Sequence, residues 1–133
     1  MKVELAQLAG RDNDTAYNLE RTLAAIAGCA ADTQLIMFPE GHLMGFPSAE
    51  SVADVAEPLE GPSVSAVIAA ARERNIAVAI GMAENDDGHF YNTTLLITPE
   101  GIALKYRKTH LWASDRGVYE LSLIHISEPT RPY

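Results

Sequence analysis

The stretch Leu35-Ile36-Met37-Phe38-Pro39-Glu40 is an apolar run that ends in a carboxylate, and Gly41-His42-Leu43-Met44-Gly45-Phe46 follows it. A short apolar run bounded by proline and glycine predicts a buried strand. Open α/β sheets bind their ligands at the carboxyl ends of strands, so Glu40 is a candidate functional residue. Taken alone, a carboxylate at a strand end is more typical of a solvated surface. Its role therefore depends on partners elsewhere in the chain.

The sequence before this run predicts a strand followed by an amphipathic helix. Alternation across residues 2–8 is typical of a strand. Asn13-Asp14-Thr15 offers side chains that cap a helix running to about Ala30. Apolar residues recur at helical spacing within it and predict its buried face. These residues are Leu19, Leu23, Ile26 and Ala30.

The sequence after this run predicts one more helix and three more strands. The apolar run itself predicts the second strand, over residues 34–38. The long irregular segment 41–62 that follows has the length typical of a functional loop. Pro62 begins a helix, with a buried stripe of Val64, Val67, Ile68 and Ala71. Strands at 76–83, 90–97 and 102–106 are joined by tight turns. The order β-α-β-α-β-β-β predicts an α/β fold with a mixed sheet.

Composition narrows the class of protein. The chain has 133 residues, 47% of them hydrophobic, which suits one soluble domain or part of one. A net charge of −8 without a basic stripe disfavours a nucleic-acid partner. The start of the chain lacks a secretory signal, and no apolar stretch could span a bilayer, so we expect a cytoplasmic protein with no membrane partner.

Cysteine and histidine usage disfavours a disulfide or a metal site. Cys29 is the sole cysteine in the sequence and lies in helical sequence, where we expect a small buried residue. The histidines and acids show no metal-ligand spacing, and no glycine-rich phosphate loop is present. The sequence therefore predicts no metal and no cofactor.

The final segment, residues 121–133, reads LSLIHISEPTRPY and does not continue what precedes it. It resembles the translation of a transposon-type sequencing adapter. We therefore predict a non-native tail over residues 121–133, with natural sequence over residues 1–120 that continues in the complete protein. Resequencing the source DNA past the codon for Glu120 tests this prediction.

A second notable segment follows the last hairpin and reads Lys105-Tyr106-Arg107-Lys108-Thr109-His110-Leu111-Trp112. Together with Phe38-Pro39-Glu40 and its neighbours, this segment resembles the two ordered signatures of the nitrilase, or carbon–nitrogen hydrolase, superfamily. Tyr91-Asn92-Thr93 and the Pro99-Glu100-Gly101 turn between them are also similar to the family. The resemblance spans residues 1 to about 120, and it implies a partial carbon–nitrogen hydrolase domain with the first part of an α-β-β-α sandwich.

The resemblance also implies a chemistry. Family members hydrolyse nonpeptide C–N bonds with a cysteine nucleophile, a glutamate base and a lysine, which places Glu40 and Lys108 in the last two roles. A base beside the nucleophile and a cation near the developing oxyanion are what acyl transfer requires. The family's cysteine lies downstream of the lysine segment, so we expect this 133-residue chain to be inactive. The implied substrate is a small amide or N-carbamoyl compound, and the full-length protein is expected to form homo-oligomers.

Other residues have weaker predicted roles. His42, Phe46 and Trp112 are candidates for lining the substrate site, although buried or exposed structural roles are equally compatible with them. Many family members place a second glutamate after the lysine, and here Asp115 or Glu120 could take that position.

Two alternatives to an enzyme remain at this point. One is a noncatalytic protein that keeps the nitrilase fold for binding or assembly. The other is an unrelated flavodoxin-like or Rossmann-like ligand-binding domain, which the missing phosphate loop disfavours. Close approach of Glu40 and Lys108 in the folded chain is the geometric condition that the hydrolase prediction requires.

Overall fold

A computed structural model describes residues 1–122 as a five-stranded sheet with helices on one face. The predicted tail therefore lies, apart from its first two residues, outside the described residues. The strands are β1 (Val3–Leu5), β2 (Leu35–Met37), β3 (Ala77–Asp86), β4 (His89–Thr98) and β5 (Gly101–Arg107). The helices are α1 (Thr15–Gly28), α2 (Val52–Val55) and α3 (Pro62–Arg74), with a 3₁₀ turn at Ala113–Asp115.

The sheet is mixed, as predicted. Its spatial order is β1-β2-β3-β4-β5, with β1, β2 and β3 parallel and β4 and β5 added as antiparallel hairpins. Helical crossovers join the parallel strands, because parallel neighbours cannot be connected by a tight turn. The element order matches the prediction except for α2, a short helix inside the segment that was predicted to be irregular.

Strand alternation sorts the side chains onto two faces. On one face Ile80 of β3 lies opposite Leu95 of β4, and both pack in a core with Ile26 of α1 and Val67 of α3. We call this the helix face. On the other face Thr94 lies opposite Tyr106. We call it the open face, because no helix of residues 1–122 covers it.

Helix α1 begins where predicted but turns a different side inward. Asp14 is its N-cap, and its carboxylate accepts a hydrogen bond from the backbone N–H of Tyr17 at 3.1 Å. Of the residues predicted on the buried face, Ile26 is fully buried and Leu19 packs partly buried against the core, while the other buried residues are Asn18 and Thr22. Leu19 and Leu23 are half-buried, and Ala30 is exposed beyond the end of the helix.

Hydrogen bonds of two polar side chains explain which side of α1 is buried. The Asn18 amide donates to the carbonyls of Arg11 and Leu43, and the Thr22 hydroxyl donates to the carbonyl of Asn18. Buried polar groups of this kind must be satisfied, so these hydrogen bonds override the purely apolar pattern. They also tie α1 to the loop that follows β2.

Helix α3 follows its sequence closely. Gly61 is the N-cap and Pro62 is the first residue, while the Glu57 carboxylate accepts hydrogen bonds from the backbone N–H and the hydroxyl of Ser63. Val64, Val67 and Ala71 are buried as predicted, and Ile68 is half-buried. The helix ends at Asn75, whose left-handed conformation (φ 53°) suits a C-terminal cap.

The open face carries exposed apolar side chains. Leu5, Leu104 and Tyr106 project from it at exposed positions. Part of the sheet face opposite the helices is therefore exposed within residues 1–122. No helix within the same residues is long and apolar enough to cross a membrane.

Candidate active site

The loop after β2 lies directly on the open face of β3. A side chain at Gly81 would place its Cβ 2.4 Å from the backbone nitrogen of Gly41 and 2.9 Å from the Cα of Glu40. Gly41 itself has a φ of 65°, which glycine adopts without strain. The absence of a side chain at Gly81 thus lets the backbone that carries Glu40 approach the sheet closely.

Glu40 and Lys108 meet on this face. Lys108 Nζ donates to Glu40 Oε1 over 2.8 Å, although the two residues are 68 positions apart. The geometric condition set by the sequence is therefore satisfied, while the catalytic roles of the two residues stay predictions. The Glu40 carboxylate next to Lys108 raises the pKa of the ammonium above its ordinary value, and Asp115 adds to this effect against the opposing effect of burial.

Lys108 is positioned by the end of β5. Its backbone N–H donates to the carbonyl of Asn92 over 2.8 Å, which continues the pairing of β5 with β4 by one residue. The preceding residue, Arg107, points to the helix face, where its guanidinium binds the buried carboxylate of Glu84 through two N–H groups. Alternation along β5 then directs the Lys108 side chain to the open face.

Asn92 is a third member of the cluster. Its Nδ2 donates to Glu40 Oε1 over 2.7 Å, so this oxygen receives hydrogen bonds from both Asn92 and Lys108. Asn92 was not predicted as a site residue. The register of β4 would have identified it. Asn92 pairs with Ala83, which lies on the same face as Gly81, so its side chain faces the loop that crosses the sheet there.

The structure distinguishes the two candidate second acids. Asp115 is buried, and its Oδ2 accepts a hydrogen bond from Lys108 Nζ over 2.9 Å. Glu120 instead pairs with His89, with 2.8 Å between Oε2 and Nδ1. Its backbone N–H donates to the carbonyl of Phe90. Only Asp115 of the two contacts Lys108 within residues 1–122.

The cluster opens onto a cavity of about 350 Å³. Its walls come from the open face of the sheet and from the segment after β5. The lining residues are Glu40, Asn92, Thr94, Tyr106, Lys108 and His110. Thr94, Tyr106 and His110 were not predicted as site residues, although the alternation of β4 and β5 places Thr94 and Tyr106 on the same face as Asn92. The His110 ring shares a hydrogen bond with the Thr109 hydroxyl, with 3.0 Å between Nδ1 and Oγ1.

The three residues predicted to line the substrate site lie outside the cavity beside Glu40. His42 is a buried residue of the loop after β2, and its ring packs against Phe38 with ring centroids 4.9 Å apart. Its Nε2 has no hydrogen-bond partner within residues 1–122, and burial lowers the pKa of the ring. Trp112 is exposed, and its carbonyl accepts from the backbone N–H of Asp115, in the turn that carries that acid. None of the three lines the cavity beside Glu40.

Phe46 borders a second depression of about 430 Å³. Asp115 and Tyr119 also line this depression, so it lies on the far side of the Lys108–Asp115 pair from the cavity. Burial raises the pKa of the Tyr119 phenol, and the carboxylates of Asp115 and Glu40 raise it further. The phenol is therefore kept neutral next to the acids.

Cys29 lies away from this cluster. It is buried in the hydrophobic core at the end of α1, where its carbonyl accepts from the Arg74 guanidinium. In the part of the chain that the structure describes, no group of three or more His, Cys, Asp or Glu side chains could hold a metal ion. A carboxylate, an ammonium and a neutral amide together suit proton transfer and the stabilisation of an oxyanion.

The fold and this cluster define a carbon–nitrogen hydrolase domain. The family model described as carbon-nitrogen hydrolase matches residues 2–129, and the chain belongs to this family. That match extends into the segment 121–133, whose origin stays a prediction. A solved CN-hydrolase superfamily protein from Xanthomonas campestris superposes with a TM-score of 0.79 at 26% identity, covering 90% of this chain and 45% of that one.

Two curated relatives show the range of the similarity. The chain is 60% identical over 116 residues to an (R)-stereoselective amidase from a Pseudomonas species, covering 87% of this chain and 42% of that protein. It is 30% identical over 122 residues to an aliphatic nitrilase from Rhodococcus rhodochrous, covering 80% of this chain and 33% of that protein. The chain thus spans less than half the length of either relative.

Proposed function

We propose that this chain is the N-terminal part of an enzyme that hydrolyses the C–N bond of a small amide or N-carbamoyl compound through an acyl-cysteine intermediate. The observation that carries the proposal is the 2.8 Å contact between Lys108 Nζ and Glu40 Oε1 at the wall of the cavity. The 60% identity to an amidase favours an amide over a nitrile as the substrate.

In this mechanism Glu40 is the general base and Lys108 stabilises the oxyanion. We assign the nucleophile to a cysteine encoded beyond Glu120, because Cys29 lies in the core. Glu40 takes the thiol proton while sulfur attacks the carbonyl carbon, and a Lys108 N–H donates to the oxygen that becomes negative. The tetrahedral intermediate then expels nitrogen, which leaves as ammonia or an amine after receiving the proton from Glu40.

Hydrolysis of the thioester reverses these proton transfers. Water attacks the acyl carbon and gives one proton to Glu40. The carbon–sulfur bond breaks, the carboxylic acid leaves, and the proton on Glu40 returns to sulfur. Glu40 therefore acts as base and acid alternately in each half of the reaction.

We assign the second acidic role to Asp115 rather than Glu120. Asp115 contacts Lys108, and a cation between two carboxylates stays protonated, which suits a hydrogen-bond donor. Phe46 lines the neighbouring depression and is retained as a candidate for contacting a substrate group there. We do not assign His42 and Trp112 to direct substrate contact, because His42 is buried, Trp112 is exposed, and neither lines the cavity.

We further propose that the missing sheet of the sandwich covers the open face in the full-length protein. Exposed Leu5, Leu104 and Tyr106 support this, since contiguous exposed apolar surface is unusual on a finished monomer. A cytoplasmic location and homo-oligomeric assembly remain our expectations for that protein. Size-exclusion chromatography of the full-length protein tests the second, and a monomer at all concentrations would contradict it.

The test of function uses the full-length enzyme, obtained by recovering the gene past the codon for Glu120. Ammonia or amine release is measured from matched amides, N-carbamoyl compounds and nitriles. We expect turnover of the first two classes, inhibition by thiol alkylation, and activity in Cys29→Ser equal to that of the wild type. The 133-residue chain should show no turnover. Cysteine-dependent hydrolysis by that chain alone, or full activity after loss of Glu40, would overturn the proposal.

A further inference from the structure

Asn92 contacts both residues that we propose as catalytic. Its side-chain Nδ2 donates to Glu40 Oε1 over 2.7 Å, and its backbone carbonyl accepts from the backbone N–H of Lys108 over 2.8 Å. We propose that Asn92 is a positioning residue that holds Glu40 by Oε1 and leaves Oε2 as the oxygen that exchanges protons. This inference rests on the proposed function and adds to it the identity of the reacting oxygen.

The two oxygens of Glu40 differ in their surroundings. Oε1 accepts hydrogen bonds from Asn92 and from Lys108, which use the two lone pairs that one carboxylate oxygen offers. Oε2 accepts none from residues 1–122, and Glu40 borders the cavity. Oε2 is therefore the oxygen of Glu40 that accepts a proton from the cavity side.

Asn92 is suited to this role because it is buried and held in a paired strand. The residue is buried in β4, where it lies opposite Ala83 of β3. The orientation of its amide follows from its partner, since an ionised carboxylate only accepts hydrogen bonds and must face the NH₂ group. Glu40 is exposed by comparison, so we infer that the buried member of the pair determines the orientation of the exposed one.

The same residue also links Glu40 to Lys108 through the backbone. A displacement of β5 relative to β4 would move Lys108 and break its hydrogen bond to the Asn92 carbonyl. One residue of β4 thus sets the position of both charged groups. Misplacement of about 1 Å at a reacting centre costs on the order of 100-fold in rate, so this link has kinetic consequences.

Asn92 also borders the cavity, and direct contact with substrate is the rival interpretation. The two interpretations differ in steady-state kinetics. Loss of a substrate contact raises KM, whereas loss of a positioning contact lowers kcat and leaves KM nearly unchanged. The split between the two constants is therefore the deciding measurement.

The test is Asn92→Ser in the full-length enzyme, with Asn85→Ser as the matched control. Asn85 is the same residue type on the same hairpin, and its side chain accepts from the backbone N–H of Gly88 in the turn. We expect kcat of Asn92→Ser to fall about 10- to 100-fold with KM within about twofold of the wild type. Asn85→Ser should change neither constant. An unchanged kcat, or a loss carried by KM, overturns the inference.

Asn92→Asp provides the second variant in case Asn92→Ser does not fold. It keeps the size and planar shape of the side chain but replaces the donor with a second carboxylate facing Glu40. We expect its kcat to fall further than that of Asn92→Ser, again with little change in KM. A kcat for Asn92→Asp equal to that of the wild type overturns the inference.

A thermal-unfolding cycle separates failure of this inference from failure of the proposed function. The midpoints of Asn92→Ser, Glu40→Ala and the double variant are compared with the wild type, without reference to activity. We expect the double variant to lose less than the sum of the two single losses, because both remove the same hydrogen bond. Additive losses overturn the positioning role, whereas an inactive wild type with a coupled cycle overturns the proposed function alone.

Discussion

Arg107 and Lys108 are neighbours in sequence, yet their cations lie on opposite faces of the sheet and bind different carboxylates. Arg107 holds Glu84 through two hydrogen bonds, with side-chain exposures of 15% and 3%. Lys108 holds Glu40 through one hydrogen bond, with exposures of 26% and 49%. The helix-face pair is more buried, whereas about half of the Glu40 side chain is exposed beside the cavity.

The chemistry of each cation matches its surroundings. The planar Arg107 guanidinium also stacks 3.9 Å from the Tyr91 ring centroid and binds Asp86, so its donors are engaged by fixed partners. Lys108 is a point charge with donors that can be redirected, and it leaves one oxygen of Glu40 without a donor from residues 1–122. We infer that the first pair supports the strands and that the second remains available for a reaction.

The two ion pairs should differ most in how much their substitution lowers the activity of the full-length enzyme. Glu40→Gln should lower kcat/KM of the full-length enzyme about 10²- to 10⁴-fold, because the amide cannot accept the proton that general base catalysis moves. Its free energy of unfolding should change by less than about 1 kcal/mol, as is usual for exposed ion pairs. Initial rates and urea unfolding measure both quantities. Activity within tenfold of the wild type would show that Glu40 is not the base.

The helix-face pair should behave in the opposite way. Arg107→Met should destabilise the protein by about 3–5 kcal/mol, because it leaves the buried Glu84 carboxylate without its bidentate partner. The control is the double variant Arg107→Met with Glu84→Gln, which removes the charge as well as the cation. We expect urea unfolding to show the double variant as more stable than Arg107→Met alone. Equal or greater destabilisation in the double variant would contradict a buried-charge penalty.

A smaller effect should distinguish the two acids near Lys108. Asp115→Asn removes the charge that lies 2.9 Å from Nζ and should lower kcat about tenfold, as loss of a charge-assisted hydrogen bond does. Glu120→Gln removes a charge that pairs with His89 instead and should leave kcat unchanged. Parallel steady-state measurements test the assignment. A larger loss in Glu120→Gln than in Asp115→Asn would reverse it.

The smallest expected effect is the alkaline dependence of stability. The pKa of Lys108 is raised above its ordinary value of 10.5, chiefly by Glu40, so its stabilising contribution is full below pH 10.5 and is lost as pH rises through the folded pKa. The difference in unfolding free energy between the wild type and Lys108→Met should therefore shrink above pH 10.5. Tyr119 also titrates at alkaline pH, but it does so in both proteins. A difference that grows with pH would contradict the pairing with Glu40.

Local signals in the sequence accounted for most of the fold. Asp14, Pro62 and Asn75 mark the helix ends through capping chemistry that depends only on nearby backbone groups. The strand lengths were less predictable. The first strand was expected over residues 2–8 but pairs only over Val3–Leu5, because its neighbour β2 pairs only over Leu35–Met37 before the chain turns at Pro39. A ladder cannot be longer than the partner that supplies its hydrogen bonds.

Glu40 and Lys108 were predictable from the sequence, and Asp115 was one of two candidate acids, but Asn92 was not predicted as a site residue. Glu40 and Lys108 were identified by their resemblance to a family, and their contact depends on a loop lying across β3 at Gly81. Asn92 and Asp115 join them only because β4 lies beside β5 and a 3₁₀ turn folds back on Lys108. His42 was placed in the site by its position next to Glu40, but the turn at Gly41 directs it into the core.

The sequence alone determined the order of elements, the caps of the helices and the alternation that separates Arg107 from Lys108. These features depend on neighbouring residues, whose geometry is set by the period of a strand or a helix. The tertiary structure decided which acid meets Lys108, which oxygen of Glu40 stays open and which side of α1 is buried. Those outcomes join residues far apart in the chain, so they depend on how the loops and strands pack together.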